Sequence, residues 1–356
     1  MRFLKKRLRC VKTRACLVVK ASGEATASRR NLVQGLAITV NLCYTTLWKG
    51  GAVMKKNLIK NGALILLSII LTLVAVLPMQ KGEADRSDWM RRLDDSASLN
   101  SITIPGTHDS GALHSIAEIS GKCQSLSIEE QLKIGVRFLD IRLQLVDNEL
   151  KVVHSFVDQL TDFEVVLEDM TSFIRNHESE FLIVSIKEDA SPKRSEKAFA
   201  EVLEAMLSSY PEISRSQALP DTVGNARGSI HIVARYENAS IGLPCYDGWE
   251  DDDTFVLGNV YIQDNYRVSD AEEKISDIRK TYSVALEERY DLVLNYTSCY
   301  LSSCFPPIYA GLPAHDINRD TQKALSEEYA NGALGVLVCD FITAELAEVI
   351  IERNFR

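Results

Sequence analysis

Two histidines that follow short apolar segments are the side chains best suited to chemistry in this chain of 356 residues. His108 lies in SITIPGTHDSGA and His154 in LKVVHS, and the segment GVRFLDIRL between them carries Asp140 and Arg142. One imidazole can take a proton from a nucleophile while another protonates a leaving group, and a guanidinium can neutralise phosphate charge. These residue types together predict phosphodiester cleavage.

Eight apolar segments rich in β-forming residues recur along the chain and alternate mostly with helical patterns. The predicted strands are residues 101–104, 136–145, 150–153, 181–186, 230–234, 256–262, 292–296 and 334–338. The predicted helices are residues 128–134, 162–176, 195–208, 271–289, 316–330 and 345–352. Repeated strand-then-helix order predicts an α/β fold, a single irregular (β/α)8 barrel of the TIM type. The irregularity is the Asp147-Asn148 turn, which is too short for a helix.

Polar side chains follow most of these predicted strands at their C-terminal ends. They are His108, Asp109, Asp140, Arg142, His154, Lys187, Arg235, Asp264, Tyr266 and Asp340. Active sites of such barrels lie at the C-terminal ends of the strands, so we expect these side chains to converge. Two histidines, two arginines and a lysine within an acidic region indicate an anionic substrate rich in hydroxyl groups.

Seven short segments resemble, in the same order, those of the bacterial phosphatidylinositol-specific phospholipases C of the X-domain family. They are IPGTHDSG, FLDIRL, VVHS, VSIKED, VARY, IQDNY and VCDF. The resemblance covers roughly residues 95–356. It implies a secreted phosphatidylinositol diacylglycerol-lyase that releases diacylglycerol and inositol 1,2-cyclic phosphate, with glycosylphosphatidylinositol anchors as further candidate substrates.

The resemblance also implies roles for the two histidines and their carboxylate partners. His108 would be the general base that takes the proton of the inositol 2-hydroxyl. Asp340 would hold and polarise the His108 imidazole. His154 would be the general acid that protonates the departing diacylglycerol oxygen, with Asp109 as its partner. The roles suit a reaction that needs two proton transfers.

Arg142 would stabilise charge on the non-bridging phosphate oxygens, and Asp140 would hold the guanidinium in place. Calcium-dependent relatives place carboxylate metal ligands in this region, where a guanidinium repels a cation and itself binds phosphate. We therefore expect no metal and no other cofactor. An ordinary structural ion pair between Asp140 and Arg142 stays an alternative.

The later strand ends would recognise the inositol ring. The resemblance implies that Lys187, Arg235 and Asp264 bind ring hydroxyls and that Tyr266 packs on the ring face. An aromatic side chain beside charged donors and acceptors is the expected lining for a sugar-like ligand. The alternative for Lys187 is a solvated loop charge with Glu188 and Asp189 as surface partners.

The sequence leaves two other functions open. One is a metal-dependent glycerophosphodiester phosphodiesterase on the same kind of barrel, which would use a Glu-Asn pair near the first histidine where this chain has His-Asp-Ser-Gly. The other is a non-catalytic module that binds inositol lipids or glycans. Such a module would tolerate loss of either histidine.

Charge separates the chain into two parts. Residues 1–84 hold 15 Lys and Arg and two Asp and Glu, which leaves 25 basic and 47 acidic residues in 85–356. So acidic a region argues against nucleic acid as a partner. Anionic lipid would also repel it, so a transient, peripheral contact with a phosphatidylinositol-containing membrane must depend on apolar groups.

The candidate membrane-binding segment is CYLSSCFPPIYAGLP, with Leu301, Phe305, Ile308 and Tyr309 around two prolines. The alternative is that this loop folds back over the barrel rim. We expect the protein to act as a monomer.

The N-terminal region has the pattern of a targeting segment. From Met54, three lysines precede an uncharged apolar run at 63–77, and small residues suggest cleavage after Ala84. Residues 54–84 are thus predicted to be a secretory signal peptide and 85–356 the barrel domain, with an uncleaved anchor helix as the alternative. We interpret residues 1–53 as an upstream extension that is not normally translated.

Five cysteines follow position 84, an odd number without a CxxC motif. They are Cys123, Cys245, Cys299, Cys304 and Cys339. This pattern argues against a zinc site and against a full disulfide framework. Cys299 and Cys304 are close enough in sequence to form one loop disulfide, and free thiols are the alternative.

Overall fold

The computed structural model describes residues 85–114, 121–155, 157–302, 310–329 and 331–356. Thirteen strands lie in this described part, and we number them in chain order. They are β1 (Thr103–Thr107), β2 (Phe138–Val146), β3 (Glu149–His154), β4 (Val157–Asp162), β5 (Leu182–Lys193), β6 (Ile230–Arg235), β7 (Leu243–Pro244), β8 (Thr254–Leu257), β9 (Val260–Gln263), β10 (Arg267–Val268), β11 (Leu292–Tyr296), β12 (Tyr300–Leu301) and β13 (Gly335–Cys339).

Seven α-helices accompany these strands in the described part of the chain. They are α1 (Ile128–Lys133), α2 (Phe163–Asn176), α3 (Phe199–Leu207), α4 (Val223–Ala226), α5 (Ala271–Ala285), α6 (Gly311–Glu327) and α7 (Ala344–Glu352). Short 3₁₀ helices cover Trp89–Arg92, Leu99–Ser101 and Arg353–Phe355. All six predicted helices are present, and most of the ends differ by a few residues.

Nine strands run through one curled sheet in the order β7-β6-β5-β2-β1-β13-β11-β9-β8, β3 and β4 extend it from β2, and β10 and β12 form a separate pair. Every neighbouring pair from β7 to β9 is parallel, so eight strands present their carboxyl ends on one rim. Helices follow most of these strands and pack on the outer face, which confirms the predicted TIM-type α/β barrel. Among the described residues no ladder joins β7 to β8, so the barrel is open there.

Two of the eight predicted barrel strands are wrong. The segment 150–153 belongs to β3, which pairs antiparallel with the far end of β2 and forms a hairpin beyond the rim. The hairpin turns at Asp147 and Asn148, whose φ angles of 52° and 64° are the positive values that a two-residue turn requires. The segment 256–262 is an antiparallel hairpin, and only its second arm, β9, is a barrel strand. The eighth parallel strand is β7, too short at two residues for a periodic signal.

Alternation along each barrel strand separates two apolar layers. In β2, Leu139 and Ile141 pack in the outer cluster under the helices, whereas Phe138 packs in the inner cluster inside the barrel. Side chains two residues apart share a face, so Asp140 and Arg142 project inward above Phe138. The chain thus places apolar side chains at the bottom of the barrel and charged ones at its top.

Helix α1 stabilises the first of the strand ends that carry the candidate residues. It begins with a capping box in which Ser127 and Glu130 bond to each other's backbone N–H groups. From this helix the buried side chain of Gln131 accepts a hydrogen bond from the Thr107 hydroxyl at 2.8 Å and donates to the carbonyl of Ser110 at 2.9 Å. These bonds hold both sides of the turn that carries His108.

Several predictions fall outside the described residues. These are the upstream extension and signal peptide (residues 1–84), together with Cys304, Phe305, Ile308 and Tyr309. Cys299 is a buried free thiol, and Leu301 pairs with β10 and packs against the outer apolar cluster. In the part of the chain that the structure describes, no helix has the length and apolar character needed to span a membrane.

Candidate active site

The C-terminal rim of the barrel surrounds a cavity of about 600 Å³. Eight of the ten predicted site residues line it: His108, Arg142, His154, Lys187, Arg235, Asp264, Tyr266 and Asp340. The other two, Asp109 and Asp140, have fully buried side chains and contact Arg142. The structure therefore brings all ten together.

His108 and Asp340 follow neighbouring parallel strands. The register pairs Thr107 with Cys339, so the next residue on each strand lies side by side with its counterpart. His108 Nδ1 lies 2.8 Å from Asp340 Oδ1, and the Asp340 side chain is only 2% exposed. The Gln124 amide donates to the carbonyls of both His108 and Cys339 at 2.8 Å. A carboxylate at Nδ1 favours the tautomer with its proton there, which leaves the lone pair of Nε2 free to accept a proton.

His154 reaches the cavity from the β2–β3 hairpin and not from a barrel strand. Its Nδ1 lies 3.0 Å from Asp109 Oδ2. Both carboxylate oxygens of Asp109 are buried without an aligned hydrogen-bond donor, so the contact is an ion pair and not a well-formed hydrogen bond. Burial alone would lower the pKa of His154, but the Asp109 carboxylate outweighs it and the pKa is raised. A raised pKa keeps more of this imidazole protonated, as a general acid requires.

Arg142 lies among three carboxylates. Its Nε and Nη2 donate to Asp140 Oδ2 at 3.2 and 3.1 Å, and the Asp109 and Asp189 carboxylates lie 3.8 Å from its nitrogens. Burial would raise the pKa of Asp140, but Arg142 and Arg235 lower it to about 2. Because Asp140 stays ionised, the guanidinium is fixed and its 14% exposed side chain remains open to an anion in the cavity.

Arg235 stacks on an aromatic side chain in the cavity wall. Its guanidinium carbon lies 3.5 Å from the ring centroid of Trp249, a typical cation–π distance. The indole Nε1 of Trp249 donates to Asp264 Oδ2 at 3.1 Å, and an Arg235 nitrogen lies 3.9 Å from the same oxygen. Two of the predicted ligand-binding side chains are thus held by one tryptophan.

Lys187 donates to Asp189 Oδ1 at 2.6 Å. The Asp189 side chain is only 5% exposed, so it belongs to the cavity wall and is not a solvated surface partner. Burial would raise the pKa of Asp189, but Arg142 and Lys187 hold it well below its usual range. This carboxylate therefore links the Arg142 guanidinium to the Lys187 ammonium group.

Tyr266 lies at the mouth of the cavity. Its hydroxyl donates to Asp251 Oδ1 at 2.5 Å, and its ring centroid lies 6.0 Å from that of Tyr300. Burial and the Asp251 carboxylate together raise the pKa of Tyr266 to about 12. The phenol therefore stays neutral, and its ring lines the cavity.

Sequence reasoning missed five residues of this site: Cys123, Gln124, Ser185, Asp189 and Trp249. Ser185 donates to Asp140 Oδ1 at 3.1 Å, and Cys123 Sγ lies 3.5 Å from His154 Nδ1. The inward alternation of β5 contains Ser185 and Asp189 as well as Lys187, so that pattern could have revealed both. The other three lie in loops, where no periodicity exists.

Comparison with known proteins agrees with this geometry. Residues 103–235 match the family model described as phosphatidylinositol-specific phospholipase C, X domain. The chain resembles this family over residues 103–235, which are 133 of its 356 residues. It is 25% identical over 286 residues to the 1-phosphatidylinositol phosphodiesterase of Listeria monocytogenes, covering 77% of this chain and 87% of that one. The Staphylococcus aureus protein of the same name is 28% identical over 204 residues, 51% and 64% of the two chains.

Solved structures of X-domain phospholipases share the fold. A phosphatidylinositol-specific phospholipase C structure from S. aureus, described in connection with membrane binding, superposes with a TM-score of 0.68. It is 23% identical and covers 76% of this chain and 98% of that one. The enzyme from L. monocytogenes gives 0.62 at 23% identity, over 76% and 99%. The family resemblance and the barrel predicted from sequence are both confirmed.

Proposed function

We propose that this X-domain protein is a phosphatidylinositol-specific phospholipase C that releases diacylglycerol and inositol 1,2-cyclic phosphate. The observation that carries the proposal is the presence, at one cavity, of two imidazole–carboxylate pairs and the half-buried Arg142. Relatives named 1-phosphatidylinositol phosphodiesterase support the same substrate class.

In the first step the inositol 2-hydroxyl attacks phosphorus. His108 Nε2 takes the hydroxyl proton as the O–P bond forms, and Asp340 stabilises the resulting imidazolium through Nδ1. The bond from phosphorus to the glycerol oxygen breaks, and His154 gives that oxygen its proton. Asp109 supports the protonated form of His154 before the transfer. Each imidazole thus changes its proton count by one and the reaction is balanced.

Arg142 stabilises the charge that develops on the non-bridging oxygens. Its fork of N–H donors matches a phosphate, and Asp140 holds the fork in place. The attacking hydroxyl belongs to the same molecule as the phosphate, so proximity already supplies an effective concentration of about 10⁵ M or more. The protein needs to add mainly proton transfer, about 10²–10⁴-fold per group.

Slow hydrolysis of the cyclic product follows from the same groups with their roles exchanged. Neutral His154 takes a proton from water, and protonated His108 returns one to the inositol 2-oxygen as the ring opens. Both histidines leave the first step in these protonation states. The ring hydroxyls would be recognised by Lys187, Arg235 and Asp264, with Tyr266 on the ring face.

A metal-dependent glycerophosphodiester phosphodiesterase is the second candidate, and the surroundings of Arg142 disfavour it. The carboxylates that could ligate a hard divalent cation near the phosphate, Asp109, Asp140 and Asp189, already surround the guanidinium. A cation placed there would be repelled by Arg142. We propose that catalysis needs no metal.

Access to lipid requires contact with a membrane surface. Residues 85–356 are acidic, so the contact depends on apolar side chains rather than a basic patch. In the described residues, Leu312 is 71% exposed at the start of α6, two residues after Ala310 in the cavity wall. We propose that Leu312 contributes to docking, in addition to Phe305, Ile308 and Tyr309, which are proposed from the sequence alone. Leu301 packs on the barrel and is not part of it.

The N-terminal segment gives the proposed location of the protein. Residues 54–84 would direct secretion and be removed, and the barrel domain would act outside the cell as a monomer. N-terminal sequencing of the exported protein tests this directly. A mature chain that retains the apolar run at 63–77 would indicate a membrane anchor.

The decisive experiment is a phosphorus NMR time course on phosphatidylinositol vesicles with excess chelator. We expect a cyclic phosphodiester signal to appear first and a monoester signal later. No cyclic product, or activity that needs added divalent metal, would contradict the proposed mechanism. Glycerophosphodiesters in a parallel assay would reveal the second candidate.

A further inference from the structure

Cys123 lies beside the general-acid histidine, and the mechanism above gives it no role. Its thiol is buried in the cavity wall, 1% exposed, with Sγ 3.5 Å from His154 Nδ1. Ligand atoms from Cys123, His154 and Asp109 all lie within 4.8 Å of one another. These three residue types are the common protein ligands of zinc.

The distances are close to those of a tetrahedral zinc site. Bond lengths of roughly 2.0–2.3 Å imply edges of about 3.6 Å between sulfur and nitrogen and about 3.4 Å between nitrogen and oxygen. The Cys123 Sγ to His154 Nδ1 distance is 3.5 Å, and the His154 Nδ1 to Asp109 Oδ2 distance is 3.0 Å. The third edge, between Cys123 Sγ and an Asp109 oxygen, is within 4.8 Å, and adjustment of the side chains to about 3.6 Å would admit the ion.

The state of the Asp109 carboxylate also points to a cation. Its side chain is fully buried, and neither oxygen has an aligned hydrogen-bond donor. Buried carboxylates normally have such partners because an unsatisfied one is costly. Asp109 therefore has lone pairs available toward His154 and Cys123.

We propose that Cys123, His154 and Asp109 form an inhibitory site for zinc or a similarly thiophilic divalent cation. Binding breaks the S–H bond of Cys123 and releases that proton to solvent, as well as the Nδ1 proton of His154 when present. The ion then occupies Nδ1 and separates His154 from Asp109. His154 can no longer form the imidazolium that protonates the leaving oxygen.

Charge balance explains why the site would select a thiophilic ion. A thiolate and a carboxylate together neutralise Zn²⁺, so the loaded site carries no net charge beside Arg142, whose Nε lies 3.8 Å from Asp109 Oδ2. Ca²⁺ and Mg²⁺ prefer oxygen ligands and leave the thiol protonated. Either would keep a net positive charge beside the guanidinium.

The first test measures inhibition, which rests on the proposed phospholipase activity. Free Zn²⁺ is varied in a metal buffer, and each variant is compared with its own zinc-free rate. We expect wild-type protein to be inhibited by micromolar zinc, restored by chelator and insensitive to Ca²⁺ and Mg²⁺. Cys123→Ala should raise the half-inhibitory concentration about 100-fold, since a ligand is lost. The control Cys299→Ala removes another buried thiol of the same cavity and should behave as wild type.

The second test measures binding without any activity. Co²⁺ added to the full-length protein should give a near-ultraviolet thiolate-to-cobalt band. We expect the band in wild type, His108→Ala and Cys299→Ala, and its loss in Cys123→Ala and His154→Ala. Cys123→Ser keeps the size of the side chain and serves if the alanine variant does not fold. A band that survives in Cys123→Ser or Cys123→Ala, is absent in wild type, or disappears in His108→Ala would overturn the assignment.

Discussion

His108 and His154 reach the same cavity by different routes. His108 follows barrel strand β1, and the register with β13 places it against Asp340 in an aligned 2.8 Å hydrogen bond. His154 ends a hairpin arm outside the barrel, with a 28% exposed side chain and an unaligned 3.0 Å contact to Asp109. The His108 side chain is only 14% exposed.

The difference matches the two chemical tasks. A base must hold one tautomer and one direction, which a buried carboxylate on a neighbouring strand provides. An acid must give its proton to a leaving group that then departs with a lipid, so a more open position suits it. The same openness leaves His154 accessible to a competing ion, whereas His108 is better enclosed.

The largest expected effect is the loss of turnover when either histidine is removed. His108→Ala and His154→Ala should each lower turnover by about 10³-fold or more, because each removes one proton transfer. Initial rates on phosphatidylinositol in mixed micelles measure this, with circular dichroism as the control for folding. A folded variant that keeps a tenth of the activity would remove that histidine from the mechanism.

A substrate with a good leaving group separates the two roles. An aryl inositol phosphate releases a phenolate that needs little protonation, so it should restore much of the lost rate in His154→Ala. His108→Ala should gain no comparable rescue, since the attacking hydroxyl still needs a base. Equal rescue of both variants would show that the roles of acid and base are not divided in this way.

In the proposed mechanism the phosphate lies between the base His108 and the acid His154, so Arg142 is needed for both proton transfers. Arg142→Lys should lower turnover by about 10²–10³-fold, since a point ammonium cannot reproduce the two-donor fork on phosphate. Arg175→Lys is a matched control on α2, where the guanidinium pairs with Glu168 and Glu212. Near-wild-type rates in Arg142→Lys would make Arg142 a structural residue.

Asp109→Asn should change how the activity depends on pH. Activity requires protonated His154 and is lost as pH rises through the pKa of that imidazole. The Asp109 carboxylate raises this pKa, so its removal should move the alkaline limb of the pH profile downward and lower activity at pH 8 more than at pH 6. Profiles of kcat for both proteins measure the shift, and an unmoved alkaline limb would show that His154 does not set it.

The smallest expected effect concerns docking. Leu312→Ser should lower activity on vesicles several-fold and leave activity on a soluble short-chain substrate unchanged. Leu286→Ser is the control, because Leu286 is 40% exposed at the end of α5, near the opposite end of the barrel from the cavity. Equal losses on both substrates would place Leu312 in support of the active site.

Period-two alternation, the position of each strand end and the family resemblance together led to the barrel and to the ten candidate residues. Most barrel strands carry apolar inward residues below a polar one, as in β2, where Phe138 lies below Asp140, and parallel strands must present these polar ends on one rim. This logic is local, so it can be read from the chain. It failed for the segment 150–153, because a strand that pairs backward has the same periodicity as one that pairs forward.

Only the tertiary structure decided which loop side chains join the rim. Cys123 and Trp249 follow no strand period, and their places depend on how the loops cross the barrel mouth. The sequence argument against zinc rested on cysteine spacing, and spacing reveals only ligands that are close together in the sequence. Cys123, His154 and Asp109 instead come from three separate segments that meet where the β2–β3 hairpin returns to the rim. Ligand geometry depends on distance in space, and folding sets that distance over many residues.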